Sequence, residues 1–342
     1  MIDKVLFWNI RLVNTQQSFE RLTDLNRRHH YALIALMEPF QSADSIDSYK
    51  SRLRYQNAHV NYSGKIWIFW ADEWQGLVMS DSEQQVTIKM NLIRSLHHIL
   101  VSIVYAKCDE RDREDLWDAL NQMIPDDNIP WLVGGDFNVI LSEENKQGGL
   151  PVTVQETMDF AQWIQNCGLI DIGFIGSRYT WWNGRTQEAC IFKRLDRMLC
   201  NQAFLDIKPS SKVHHLIRQG SDHAPLHLIC DDVSQSIRKP FKFLKFWTKD
   251  HKFMDTVRDN WKADFVGNPF YVYHHKIKKV KQGLVKWSRD TFGDIFQYIA
   301  TIEDTISVKE LQFELAPTPG NREELHKAQA ELSKFLYLEE EN

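Results

Sequence analysis

Two short motifs in the sequence carry side chains that could do chemistry. In the first, Trp131–Asn138 (WLVGGDFN), an apolar run leads through two glycines to Asp136 and Asn138. Glycine permits a sharp turn and a close approach of the backbone to a ligand, so we expect both polar side chains to be accessible at the end of a strand. A turn stabilised by the Asp and Asn side chains is the alternative interpretation of this spacing.

The second motif is Ser221-Asp222-His223, which lies directly before the apolar run Ala224–Cys230. A carboxylate beside an imidazole at the edge of a strand can bind a metal ion and donate a proton. A polar loop without catalytic function is the alternative.

Three further candidates are weak when taken singly. Asn9 and Glu38 each follow an apolar run, where polar residues are usually solvated strand ends, and Asp196 lies in the charged string RLDR, where a surface ion pair is the default interpretation.

The candidates become informative as a set, because they lie at or just beyond the ends of predicted strands. These residues are Asn9, Glu38, Asp136, Asn138, Asp222 and His223. In a layered α/β protein such ends can converge on one rim, where acids, amides and an imidazole would form a site for a hard cation and a phosphate. Oxygen ligands suit Mg²⁺ or Mn²⁺. The sequence contains no catalytic Ser or Cys motif and no glycine-rich nucleotide-binding motif that would compete with this interpretation.

The elements that must position these residues can be predicted from hydrophobic patterns. Buried strands are expected at Val5–Trp8, Ala32–Met37, Lys65–Trp70, Ile99–Tyr105 and Trp131–Gly134. Amphipathic helices are expected at Thr153–Cys167, where Thr153 and Glu156 have the spacing of a capping box, and around Leu116–Ile124 and Phe19–Leu25. Because residues 52–105 are mostly strand, a mixed sheet is favoured over a purely parallel, doubly wound sheet.

The composition changes near residue 235. The polar segment Asp231–Pro240 predicts a linker, assigned to residues 233–240, between a domain at residues 1–232 and a helical extension at residues 241–342. The extension is net basic over residues 241–290 and net acidic over residues 291–342. Isoleucines at helical spacing and a break at Pro317–Gly320 predict a helical hairpin, which could bind a partner or a second copy of the chain.

Composition excludes several classes of protein. Of the 342 residues, 43% are hydrophobic and 25% are charged, which is the balance of a globular protein rather than of a disordered one. No apolar run approaches the length of about 20 residues that a membrane helix needs, and the N-terminus does not resemble a signal peptide. The five cysteines lie far apart, which argues against a zinc site and indicates a reducing, intracellular environment. With a net charge of −5, any surface that binds nucleic acid must be a local patch.

Seven motifs occur in the order found in the endonuclease/exonuclease/phosphatase superfamily. They are WN-x-R (Trp8–Arg11), Glu38, VY (Val104-Tyr105), GDFN (Gly135–Asn138), TWWNG (Thr180–Gly184), RLDR (Arg194–Arg197) and SDH (Ser221–His223). Over residues 1–232 the sequence most resembles the endonuclease domain of plant LINE-type non-LTR retrotransposons, and the extension resembles the connector before their reverse transcriptase. The sequence itself contains no polymerase aspartate motif. The resemblance implies an α/β fold of the DNase I type, a four-layer sandwich of two mixed sheets packed face to face with helices outside.

The resemblance also implies a role for each candidate residue. Glu38 would be the main metal ligand, with Asn9 and Asp222 beside it, and Mg²⁺ would be the cofactor, with Mn²⁺ as a substitute. Asp136 would orient or deprotonate the attacking water. The remaining catalytic roles would fall to Asn138 and Tyr105 on the phosphate, to His223 on its developing charge, and to Asp196 as the partner of His223. Substrate binding would involve Thr180, Trp182, Ser221 and Arg11.

Two positions depart from the pattern of the family. Leu12 stands where many relatives have glycine, and Pro39-Phe40 stands where many have Thr-Lys, which removes a phosphate contact but no metal ligand. Three functions are therefore considered: a Mg²⁺-dependent endonuclease that nicks DNA in the nucleus, a phosphoesterase of the same fold acting on a small substrate, and a non-catalytic binding protein derived from a retroelement. In the third, the basic stretch Lys276–Lys281 would contact phosphate, although such a run is usually a solvated face.

Overall fold

The computed structural model describes residues 2–93, 98–230, 243, 247–248, 250–262, 268–292 and 295–340. The chain divides into two compact units. The sheet unit comprises Met1–Ser234 and Ser307–Leu325, and the helical unit comprises Gln235–Ile306 and His326–Asn342. The predicted linker at residues 233–240 lies outside the described residues, so the boundary at residue 232 stays a prediction.

Strands dominate the sheet unit. In chain order they are β1 (Lys4–Asn9), β2 (Leu33–Met37), β3 (Asn57–Val60), β4 (Ile66–Trp70), β5 (Trp74–Asp81), β6 (Gln85–Leu92), β7 (His98–Tyr105), β8 (Trp131–Asp136), β9 (Lys146–Gln147), β10 (Ile170–Asp171), β11 (Ile175–Gly176), β12 (Trp181–Trp182), β13 (Phe192–Lys193), β14 (Asp196–Cys200), β15 (Lys212–His215) and β16 (Leu226–Ile229).

The helices are α1 (Gln16–His29), α2 (Ile46–Leu53), α3 (Glu114–Asn121), α4 (Gln155–Asn166), α5 (Gln202–Ile207), α6 (Phe253–Asn260), α7 (Pro269–Phe292), α8 (Ile295–Leu315) and α9 (Pro319–Glu340). Each strand and helix predicted from an apolar pattern is confirmed, with ends shifted by a few residues. The helix predicted at Thr153–Cys167 is α4, and Glu156 accepts a hydrogen bond from the Thr153 hydroxyl at 3.0 Å, as a residue at capping-box spacing can.

Two large sheets form the sheet unit, and both are mixed. The seven-stranded sheet has the order β11-β15-β16-β1-β2-β4-β3, in which β1–β2 and β11–β15 are parallel pairs. The six-stranded sheet has the order β10-β14-β8-β7-β6-β5, in which β7–β8 is the parallel pair. The mixed-sheet prediction is therefore confirmed.

The two sheets pack face to face around a shared apolar core. Phe7 and Met37 of one sheet lie in the same buried cluster as Val101 and Leu132 of the other. A second cluster packs α1 and α2 on the outer face of the first sheet, and a third packs α3 and α4 on the outer face of the second. Helix, sheet, sheet and helix make four layers, which confirms the fold class implied by the resemblance. The strands β1, β2 and β8 lie between the two sheets' inner core and the outer helices. They are buried on both faces, which explains why each is a nearly continuous apolar run rather than an alternating pattern.

Two glycines allow β8 to lie close to its neighbours. A Cβ at Gly134 would come within 2.3 Å of the Phe7 ring, and a Cβ at Gly135 would come within 2.0 Å of the Val104 carbonyl oxygen. Gly135 also has a φ of 135°, which side chains rarely permit. Gly134 and Gly135 therefore bring Asp136 against β7 and the facing sheet.

The segment Ser307–Leu325 is part of the sheet unit, although it comes from the predicted extension. The buried Arg218 side chain bonds to Glu314 at 2.6 Å and lies 3.7 Å from Glu310. Phe313, fully buried, packs edge-on against the rings of Trp182 and Phe192. The end of α8 thus completes the packing of a small three-stranded sheet with the order β12-β13-β9.

The described part of the helical unit consists of α6, α7 and the remaining parts of α8 and α9. Trp247, Phe253 and Leu284 form one buried cluster. Elsewhere Tyr298 packs against Phe335 with a centroid distance of 4.6 Å. These helices agree with the helical pattern predicted for residues 241–342, and self-association through them stays a prediction. Within the described ranges, every helix is too short or too polar to cross a lipid bilayer.

Candidate active site

The ends of neighbouring strands bring the predicted site residues together. In the first sheet Asn9 pairs with Met37, so Asn9 lies beside the residue that precedes Glu38. In the second sheet Asp136 pairs with Tyr105 on one side and with Asp196 on the other. The two sets of strand ends meet at one edge of the sandwich, as the sequence predicted.

A chain of polar contacts joins the two sheets at this edge. Asn9 donates from Nδ2 to Asp136 Oδ2 at 2.9 Å. His223 Nε2 lies 3.9 Å from the same Asp136 oxygen, and His223 Nδ1 hydrogen-bonds to Asp196 Oδ2 at 2.9 Å. All four residues are buried, with at most 4% of their surface exposed, so their contacts are formed in a medium where electrostatic interactions are strong.

Burial and mutual proximity shift the proton affinities of this cluster. Burial first, and then the neighbouring Asp196 carboxylate, raise the pKa of Asp136 to about 7. Burial alone would lower the pKa of His223, but the carboxylates of Asp196 and Asp136 outweigh it and raise this pKa to about 9. A carboxyl group that titrates near neutrality beside a protonated imidazole is an arrangement suited to proton transfer.

Glu38 and Tyr105 form a second pair at the same edge. The Tyr105 hydroxyl donates to Glu38 Oε1, and burial, followed by this hydrogen bond, raises the pKa of Tyr105. Tyr105 therefore remains a hydrogen-bond donor at neutral pH. Glu38 is only partly buried, and its φ of 49° lies in the left-handed region, which is uncommon for a residue other than glycine.

Asn138 is held by the turn that the GDFN motif forms. Its backbone N–H donates to Asp136 Oδ1 at 3.0 Å, and its Nδ2 donates to the carbonyl of Ala106 at 2.7 Å. The turn stabilised by an Asp side chain, which was the alternative interpretation of this motif, is thus present together with the clustered site. Asn138 also has a left-handed φ of 51°.

Hydrogen bonds and an ion pair fix the position of the Ser221-Asp222-His223 motif. Ser221 donates to the carbonyl of Asn9 at 2.8 Å, and its hydroxyl accepts from the N–H of His223 at 3.1 Å. Asp222 forms an ion pair with Arg11 and accepts from the indole N–H of Trp181 at 3.0 Å. Ser221 therefore positions His223, while Arg11 and Asp222 neutralise each other at the surface.

Leu12 occupies a conformation that suits glycine. Its φ is 83°, and the adjacent Arg11 also has a positive φ, of 42°. Two successive residues other than glycine in this region strain the loop after β1.

The oxygen-bearing side chains fit a hard divalent cation. Asn9 Oδ1 is buried and has no hydrogen-bond partner within the described parts of the chain. A buried carbonyl oxygen without a donor is costly, and a cation would satisfy it. Asn9, Glu38 and Asp136 supply the oxygen donors that Mg²⁺ and Mn²⁺ prefer.

A second set of possible metal ligands shares Asp136 with the set just described. One ligand atom from each of Asp136, Asp196 and His223 lies within 4.8 Å of the others. Because Asp196 and His223 already bond to each other, the oxygen atoms of Asn9 and Glu38 are better suited to a metal ion, and Asp136 lies beside both sets through its hydrogen bond with Asn9. His223 then remains available as a hydrogen-bond donor.

Two residues expected on a substrate-facing surface lie elsewhere. Thr180 is fully buried, and its hydroxyl accepts hydrogen bonds from the backbone N–H groups of Leu195 and Asp196, each at 3.0 Å. It therefore fixes the start of the strand that carries Asp196. The Trp182 ring packs against Phe313 with a centroid distance of 5.0 Å, on the covered face of the small sheet.

The sequence left Trp181 open between packing in a sheet and contact with DNA, and it assigned no site role to Lys193. The Trp181 ring lies 6.5 Å from the ring of His223, and the Lys193 ammonium lies 5.9 Å from the Trp181 ring. Their strands are only two residues long, so no periodic signal was available to reveal which side chains face the site.

Comparisons with known proteins agree with this architecture. Residues 6–223 match the Endonuclease/Exonuclease/phosphatase family. No curated protein matches the sequence. The structure is similar to the endonuclease domain of TRAS1, a telomere-specific non-LTR retrotransposon, with 14% identity and a TM-score of 0.50, over 69% of this chain and 100% of that one.

Two further solved structures share the fold. The 3′ phosphatase NExo from Neisseria, bound to a product DNA hairpin, is 16% identical with a TM-score of 0.52, over 67% of this chain and 99% of its own. The AP endonuclease LMAP from Leishmania major is 12% identical with a TM-score of 0.53, over 68% of this chain and 88% of its own. The fold, the clustered polar site and the match over residues 6–223 lead to one conclusion: the chain belongs to the endonuclease/exonuclease/phosphatase family.

Proposed function

We propose that this protein is a Mg²⁺-dependent endonuclease that hydrolyses phosphodiester bonds and nicks DNA. The observation that carries the proposal is the buried chain Asn9–Asp136–His223–Asp196, which lies beside the Glu38–Tyr105 pair. It places a proton acceptor, a cationic donor and oxygen ligands at one edge of the sandwich. Phosphodiester hydrolysis needs each of these groups.

Each group has a role in this reaction. Asp136 accepts a proton from the attacking water, since its pKa lies near neutrality. His223, kept protonated by Asp196, donates a hydrogen bond to the phosphate as negative charge develops on it. Asn138 adds the second hydrogen of its amide as a donor on the phosphate, and Tyr105 donates there once its hydroxyl turns from Glu38 to the phosphate. A bound cation, held by Glu38 and Asn9, would supply further charge neutralisation at the phosphate oxygens.

DNA is proposed as the substrate, and a non-LTR retrotransposon as the origin, from sequence motifs and fold together. The strings LMEPF (Leu36–Phe40), TWWNG and IFKRLDR (Ile191–Arg197) resemble those of plant LINE-type endonucleases. The similarity in fold to the TRAS1 endonuclease domain supports the same assignment. The hydrolytic site could also serve a small phosphoester, so the test must compare substrates.

The proposal predicts that the full chain converts supercoiled plasmid to the nicked form in Mg²⁺ or Mn²⁺ and not in EDTA. Glu38→Gln and His223→Gln should each lower the rate by about a hundredfold or more, because the first weakens the cation site and the second removes the positive charge beside the phosphate. Asp206→Asn, which neutralises an exposed carboxylate on α5, is the matched control and should nick at the wild-type rate.

The alternatives give different results in the same assay. Hydrolysis of p-nitrophenyl phosphate with the plasmid left intact would indicate a phosphoesterase for small substrates. Purified, folded wild-type protein that binds DNA but hydrolyses neither substrate in Mg²⁺ or Mn²⁺ would indicate the binding protein derived from a retroelement. Either result contradicts the proposed nicking activity.

A further inference from the structure

The small three-stranded sheet has two chemically different faces. Trp182 pairs with Phe192, which pairs with Gln147, and this row faces the end of α8, where Gln147 donates to the carbonyl of Glu314 at 2.6 Å. The neighbouring row consists of Trp181, Lys193 and Lys146. Because adjacent residues of a strand point to opposite faces, this second row lies on the other side of the sheet.

The second row begins at the hydrolytic site. Trp181 forms an isolated antiparallel bridge with His223, and its indole N–H donates to Asp222. Lys193 follows Trp181 across the sheet, and Lys146 follows Lys193. The two lysines are therefore one and two strands away from the residue that bonds to the Ser221-Asp222-His223 loop.

Lys193 and Lys146 carry the same charge and lie directly opposite each other on neighbouring strands. Like charges directly opposite each other on neighbouring strands destabilise a sheet. Both side chains are partly buried, and burial, followed by the charge of Lys146, lowers the pKa of Lys193. The attraction of Glu156 for Lys193 is weaker than this repulsion. An anion between the two ammonium groups would relieve the repulsion.

We propose that Lys146 and Lys193 form a binding site for a backbone phosphate of a nucleic-acid substrate, beside the phosphate that is hydrolysed. The inference rests on the proposed function, and it deepens that function by naming residues that select a polynucleotide. A substrate with a single phosphate, held at His223, has no second phosphate for this row. Trp181 lies between the two phosphate positions, where its ring can contact the intervening sugar or base.

The test measures binding separately from hydrolysis. Binding of a short fluorescein-labelled DNA duplex is followed by anisotropy in EDTA, at salt concentrations from about 50 to about 200 mM. Lys193→Met should weaken binding about fivefold and reduce the slope of log affinity against log salt by about one, because one phosphate contact is lost. Lys146→Met should have the same effect, whereas Lys193→Arg should preserve the slope. Lys212→Met, an exposed lysine on β15, is the control and should bind as the wild type does.

The outcomes distinguish this inference from the proposed function. If Lys193→Met and Lys146→Met keep the wild-type affinity and salt slope, the phosphate site is wrong, whatever the nicking assay gives. If both lower the slope while wild-type protein fails to nick plasmid, the phosphate site stands and the hydrolytic function is wrong. Thermal unfolding of each variant identifies a loss of fold, and Lys193→Arg tests the charge without removing the side chain.

Discussion

At the scale of single residues, Asp196 acts through His223 rather than on a substrate. Its Oδ2 accepts from His223 Nδ1, which fixes the orientation of the ring and stabilises the imidazolium. Thr180 in turn holds the backbone N–H of Asp196. The carboxylate lies one hydrogen bond away from the reacting groups, so we regard it as a positioning residue.

Asp196→Asn should therefore lower kcat by about a hundredfold and leave KM nearly unchanged, because the amide cannot stabilise the protonated ring. The measurement is steady-state nicking of plasmid in Mg²⁺, with Asp206→Asn as the control. A purely structural role would instead predict a lower unfolding midpoint and a proportional loss of active protein. An Asp196→Asn protein with wild-type kcat would show that His223 needs no carboxylate partner.

Sequence motifs identified the residues that do the proposed chemistry but not all the residues around them. GDFN and SDH are recognisable because their neighbours in sequence are also their neighbours at the site. Trp181 and Lys193 approach His223 only through strand pairing between short segments. The prediction for Thr180 failed in the other direction. Its place in the TWWNG string suggested substrate binding, but the residue is buried.

At the scale of elements, the end of α8 stabilises the loop before the SDH motif. Glu310 accepts from the Arg218 backbone N–H at 2.8 Å, and Arg218 donates from Nη1 to the carbonyl of Tyr179 at 2.8 Å. Ser177 also donates to Glu314, at 2.5 Å. One buried ionic network thus joins the segment before β12, the segment before His223 and α8.

Glu314→Ala should destabilise the sheet unit by about 3 kcal/mol, because it leaves the Arg218 charge buried and partly unpaired. Lys309→Ala is the matched control on the same helix, since it breaks a surface pair with Glu324 and should cost less than about 1 kcal/mol. Urea unfolding followed by tryptophan fluorescence measures both. Equal, small effects of the two substitutions would mean that α8 contributes little to the stability of the sheet unit.

The elements themselves were largely predictable, whereas their partners were not. Continuous apolar runs such as Trp131–Gly134 indicate strands buried on both faces, and the structure confirms them. The spacing of isoleucines in α8 indicates a helix with an apolar side. It carries no information about what Glu310, Phe313 and Glu314 pack against, because those contacts are set by residues about 100 positions earlier, as in the pair Arg218–Glu314.

At the scale of the whole molecule, buried neutral histidines link the stability of the sheet unit to pH. Burial lowers the pKa of His215 to about 4 and, together with the nearby charges of His29 and His214, lowers that of His227 to about 3. Both ring nitrogens of His227 lack hydrogen-bond partners in the described part of the chain. Folding therefore requires both residues to stay neutral, whereas the unfolded chain binds protons near pH 6.5.

The contribution of these two histidines should thus be full above about pH 6.5 and fall as the pH decreases, by about 2 kcal/mol for each between pH 7 and pH 5. The raised pKa values of Asp136 and His223 act in the opposite direction over this range, so the contribution of each histidine is measured as the difference between wild type and variant. His227→Phe removes one titrating group without removing a hydrogen bond, and the aromatic ring can keep its contacts with His29 and Tyr31. Urea unfolding at both pH values should therefore show a pH dependence smaller by about 2 kcal/mol in this variant. If wild type and His227→Phe lose the same stability between pH 7 and pH 5, His227 already carries a proton in the folded protein or is not buried there. A shift of about 2 kcal/mol in the variant, followed by a second shift of the same sign and about the same size when His215→Gln is added, assigns this part of the acid sensitivity to the two rings.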